Sequence, residues 1–86
     1  MSKFYTEDMY RDIRKIKKPY PFHVDIVEHS EGLALRIYED DIMRFNDGQR
    51  YEIVNYLGEV LKSIETYGIP CHIQGAKGGV PGRVRP

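Results

Sequence analysis

Residues 46–75 read NDGQRYEIVNYLGEVLKSIETYGIPCHIQG, and this stretch decides the fold. Ile53, Leu57, Val60, Leu61 and Ile64 recur at helical spacing, and Asn46-Asp47-Gly48 marks the entry. The spacing predicts a helix to about Tyr67, roughly 30 Å long at 1.5 Å per residue, enough to cross a small sheet. Gly68 reads as its C-cap glycine. After Pro70, Cys71-His72-Ile73-Gln74 reads as a short strand. Gly58 sits inside the helical run, where glycine costs about 1 kcal/mol relative to alanine. A tolerated surface glycine explains it, and so does close approach of the first helix or of a second copy of the long one.

Upstream of the long helix the period changes to two. Phe22, Val24 and Ile26 alternate with His23, Asp25 and Val27, Ser30-Glu31-Gly32 supplies turn chemistry, and Leu33, Leu35 and Ile37 resume the alternation. That pattern predicts a hairpin with one buried and one wet face. Glu39-Asp40-Asp41 then reads as a solvated turn that breaks the strand, with Ile42, Met43 and Phe45 left to pack. Before the hairpin, Thr6 is a good N-cap, Glu7 and Asp8 fill a first turn, and Tyr5, Met9, Ile13 and Ile16 form a narrow apolar stripe. Arg14, Lys15, Lys17 and Lys18 crowd the last turn, the order the helix dipole favours, and Pro19-Tyr20-Pro21 forces an extended connector.

The expected fold class is therefore α+β, in the order α-β-β-α-β. A three-stranded sheet containing a hairpin is covered on one face by the long helix, with a short N-terminal helix beside it. The third strand is parallel to one of the first two, through a right-handed crossover. Both sheet edges stay open unless something covers them. The chain of 86 residues has room for one core, placed in residues 1–75. The Gly/Pro-rich residues 76–86 read as a flexible basic tail. No apolar run approaches the roughly 20 residues of a membrane span, and Glu7 and Asp8 stand where a signal peptide would be apolar. The expectation is a cytoplasmic protein without membrane contact.

The net charge is zero but uneven. Residues 1–18 carry six basic residues against three acids, residues 74–86 carry three basic residues and no acid, and the body between is acidic. Nucleic acid is thus one partner class: Arg11 and Lys15 on the first helix, with Lys77, Arg83 and Arg85 in the tail, could contact phosphates. Protein is the other. Seven tyrosines, an amphipathic first helix and open sheet edges suit protein contacts or self-association, with Tyr10, Arg14 and Lys18 as candidate partner-binding residues.

Catalytic constellations are weak. His23 and His29 share a strand face with Asp25, but six residues of strand hold the two histidines about 20 Å apart, too far for one metal. His72 could approach either, so a His/His/Asp site requires all three to converge. The acidic run lacks the ligand spacing of a calcium loop. Cys71, the lone cysteine, has His72 beside it in a strand, where neighbours point to opposite faces. It reads as a buried thiol. The terminal glycines lack the helix and Lys-Ser/Thr pair of a phosphate loop. No catalytic residue, metal ligand or small-molecule cofactor is assigned, and the expectation is that the protein is not an enzyme.

The stretch LALRIYEDDIMRFNDGQRYEIVNYLGEVLKSIETYGIPCHIQG, residues 33–75, resembles small accessory proteins of tailed phages. The likeness lies in the strand ending in an acidic turn, the IMRF bridge, the long helix and the YGIPC entry to the last strand. It implies a factor that binds one host protein or a nucleic acid, and no site residues carry over.

Overall fold

The computed structural model describes Phe4 and residues 6–76. The fold is α+β. Strand β1 (Val24–Glu28) pairs antiparallel with β2 (Leu33–Tyr38), from Val24 opposite Ile37 to Glu28 opposite Leu33. Strand β3 (Cys71–Ala76) lies parallel on the other side of β2, from Leu33 opposite Cys71 to Tyr38 opposite Ala76. The sheet order is β1-β2-β3.

The helices are α1 (Glu7–Lys15), α2 (Glu39–Ile42) and α3 (Asp47–Glu65). Asn46 and Gln49 close a reciprocal capping box on α3 at 2.8 and 3.0 Å, and Gly68 ends that region at a φ of 77°, which favours glycine. The long helix thus starts where its sequence predicts and stops two residues early, with a turn over 66–68. The acidic run is not a simple turn: Glu39, Asp40 and Asp41 form the first turn of α2, where carboxylates suit the unsatisfied N–H groups.

Thr6 caps α1 as expected, accepting the Met9 N–H at 3.3 Å. The helix ends at Lys15 and not near Lys18, because Ile16 turns extended and packs against the core. Lys17 and Lys18 follow in the connector, where the residue before a proline disfavours helix. Gly75 and Ala76 are the last residues of β3, so the strand runs one residue beyond the expected domain boundary. The tail beyond them, and Tyr5 of the expected α1 stripe, lie outside the described residues.

One face of the sheet holds the core. Leu33 and Leu35 of β2 meet Ile53, Leu57, Val60 and Ile64 of α3, and α1 adds Met9 and Ile13. Phe22 is buried just before β1, and its ring stands edge-on to Tyr56 at 5.8 Å.

The hairpin turn and the entry to β3 meet at Gly32. The Leu33 N–H donates to the Pro70 carbonyl at 2.9 Å, and a Cβ on Gly32 would lie 2.3 Å from that same oxygen. Because backbone would have to move, Gly32→Ala is expected to cost about 1–3 kcal/mol and to lower the midpoint of thermal unfolding by circular dichroism. An unchanged midpoint would mean that the β2–β3 seam is looser than described.

Candidate interaction surface

The sheet face away from the helices carries the polar residues, as strand alternation requires. At one end, His23 Nε2 lies 3.0 Å from Asp25 Oδ1, and the Tyr38 hydroxyl donates to Asp25 Oδ2 at 2.7 Å. At the other end, the rings of His29 and His72 stack at 5.8 Å with planes 15° apart. Gly32, which accepts the His29 N–H at 2.8 Å, puts no side chain between them. The three histidines therefore form two separate pairings and do not converge. Among the described residues no three His, Cys, Asp or Glu side chains are grouped to hold a metal ion.

The acidic run has a structural use. Asp41 Oδ2 accepts the His23 N–H at 2.5 Å, while its Oδ1 takes two bonds from Arg44, at 3.0 and 2.7 Å. Arg44 also donates to the Pro21 carbonyl at 2.8 Å. The pair fastens the connector before β1 to α2. The His23 N–H first, and the Arg44 guanidinium after it, hold the Asp41 carboxyl below its ordinary pKa.

Most tyrosines are engaged inside the fold. The Tyr20 hydroxyl donates to Glu52 at 2.9 Å, Tyr38 to Asp25, and Tyr67 to Asp12, which ties the end of α3 to α1. Tyr56 is buried. On α1, Tyr10 is exposed with the Arg14 guanidinium 5.1 Å above its ring, in a groove also lined by Glu7, Arg11 and Lys15. Lys18 stands apart from that groove: its Nζ donates to the Phe22 carbonyl at 2.8 Å and lies 5.1 Å above the Phe22 ring. Of the expected residues, Tyr10, Arg11, Arg14 and Lys15 are thus brought together. Lys77, Arg83 and Arg85 lie outside the described residues.

A different surface was less visible in the sequence. β3 is an edge strand with no charged residue and no proline, whereas β1 at the opposite edge carries Asp25 and Glu28. Charges and prolines are the usual protection of an edge against further pairing. The bond from Leu33 to Pro70 fixes the parallel ladder, so Pro70, His72 and Gln74 turn their backbone groups toward β2. Cys71, Ile73 and Gly75 turn theirs outward.

Above this edge, Ile73 is 42% exposed although it lies on the helix-covered face. On α3, Tyr51, Val54, Gly58 and Leu61 follow one another at helical spacing, with Tyr51 69% and Val54 59% exposed. Tyr56 and Val60 line a cavity with Tyr10, Ile13 and Val24, so that side of α3 faces α1 and β1. The Tyr51 stripe lies round the helix from that side. Among the described residues, no atom outside the helix's own backbone comes within 4 Å of a Cβ built on Gly58.

No family profile matches the chain, and comparison with curated proteins and with solved structures found no match.

Two consequences can be measured. Burial first, and the Glu65 carboxylate second, push the Cys71 thiol above its ordinary pKa. Alkylation by iodoacetamide at neutral pH should be several-fold slower than that of free cysteine, and a rate equal to free cysteine would contradict this environment. Asp41→Asn should lower stability by about 1 kcal/mol, a thermal shift of about 4–8 °C for a domain this size. Because the folded pKa is depressed, the Asp41 contribution is complete above the ordinary aspartate value. It is lost as pH falls below about 4, where wild type and variant should converge.

Proposed function

We propose that this chain is a small non-enzymatic binding protein that acts through protein–protein contacts, in the manner of a phage-type accessory factor. The observation that carries this reading is the β3 edge: three residues aim backbone donors and acceptors outward, and Ile73 of the same strand is exposed. Partners that add a strand to an open edge gain affinity from the main chain and specificity from alternate side-chain pockets. The resemblance of residues 33–75 to small tailed-phage proteins supports the same class of function. The Tyr10 and Arg14 surface of α1 is a second contact point, built from two residue types enriched at interfaces.

The direct test is a photo-reactive benzoylphenylalanine at Ile73, with Glu59 on α3 as control, irradiated in cells that make the protein. Discrete protein adducts at position 73 and none at 59 are expected. Adducts at neither position would remove this surface from the account.

One observation favours a second reading, nucleic-acid binding: Arg11, Arg14 and Lys15 line a single groove with an aromatic ring. Anisotropy of labelled DNA and RNA separates the two, using the full chain and residues 1–76, which keep β3 whole, at two salt concentrations. The protein-contact reading expects no salt-steep binding. Tight binding that weakens steeply with salt, and is lost on truncation, would put nucleic acid first.

A further inference from the structure

We propose that the partner of the β3 edge is a second copy of the same chain, its β3 paired antiparallel about a twofold axis through Ile73. The inference rests on the reading that the chain works through protein contacts, and it names the partner. Two three-stranded sheets would join into one of six strands, with all the helices on one face.

The register follows from the backbone. In an antiparallel pair, residues that exchange hydrogen bonds face one another directly. The outward-facing residues are Cys71, Ile73 and Gly75. A twofold axis at Ile73 maps this set onto itself, so Ile73 meets Ile73 and Cys71 meets Gly75, and every outward N–H and C=O in the set finds a partner. Moving the axis by one residue leaves part of the set unpaired. The strand has no charge, so it meets itself without repulsion.

The side chains fit the same axis. On the helix-covered face, the exposed Ile73 would lie against its twin. Cys71 would meet Gly75, which has no Cβ, has nothing among the described residues within 4 Å of where one would be, and lines a shallow dent with Ile37, Glu39 and Ile42. On the other face, His72 would stand directly opposite Gln74. Gln74 Oε1 has no hydrogen-bond partner among the described residues, but it is already closed to solvent within one chain and the His72 ring is stacked on His29, so neither side chain adds to the pairing.

The helices agree as well. The axis lies perpendicular to the sheet, so α3 runs antiparallel to its twin, with opposed dipoles and the Asp47 end of one toward the Lys62 end of the other.

The test is the mass of the full chain by light scattering from micromolar to millimolar concentration. Twice the chain mass of 10.1 kDa is expected. Ile73→Pro removes an outward N–H but no bond of the β2–β3 ladder, so it should give the single-chain mass with an unchanged circular dichroism spectrum. Should that variant fail to fold, Ile73→Cys in a Cys71→Ser background decides. Facing residues of a hydrogen-bonded pair have Cα atoms about 5.5 Å apart, within disulfide reach. Oxidation should give a covalent dimer, and Glu28→Cys on the opposite edge should give none.

A chain that stays at its single mass and does not cross-link overturns the proposal. Hydrogen exchange at the Cys71, Ile73 and Gly75 amides then separates the two readings. Fast exchange in such a monomer leaves the edge free for a different protein, and the function proposed above stands. Slow exchange means that the chain closes its own edge, and both readings fall.

Discussion

The hydrogen bond from the Leu33 N–H to the Pro70 carbonyl sets much of what this fold presents to its surroundings. It fixes the parallel register of β3 on β2 and so decides that Leu33, Leu35 and Ile37 share a face with Cys71, Ile73 and Gly75. The same bond decides which backbone groups of β3 are consumed inside the sheet and which point away. Gly32 is its precondition, because any larger residue would put a Cβ against the accepting carbonyl. A register shifted by one residue would turn Ile73 to the polar face and reverse the donor pattern of the edge.

The architecture was readable because its strongest signals are periodic. The stripe through Ile53, Leu57, Val60 and Ile64 is a helix under any reading, and the alternation through Val24, Ile26, Leu35 and Ile37 marks a hairpin. The misreadings fall where a local preference met a tertiary demand. α1 stops at Lys15 because Ile16 is drawn to the core. The acidic run becomes helical because Asp41 gains the His23 N–H and Arg44 as partners, and Arg44 in turn reaches Pro21. Such contacts join residues about twenty positions apart, beyond what periodicity can register.

The candidate surface was only half legible. Open edges and the odd Gly58 could be read, but attention to charge and tyrosine pointed at α1 and the tail. The structure redistributes those signals. Tyr20, Tyr38 and Tyr67 spend their hydroxyls on Glu52, Asp25 and Asp12, so the tyrosine content reflects internal ties more than an interface. Lys18 is spent on Phe22. What marks β3 is a lack of charge and proline across six residues, a negative signal that gains meaning only once the strand is known to lie at an edge.

The central claim is that the outward side of β3 is a contact surface with a defined register. Isotope-filtered NMR on a mixture of labelled and unlabelled full-length chain tests it most directly. The account expects an interchain contact between the Hα protons of His72 and Gln74, which face each other in the non-hydrogen-bonded positions where antiparallel strands come closest. Absence of that contact, in spectra that do show the intrachain Leu33–Cys71 pairing, would contradict it.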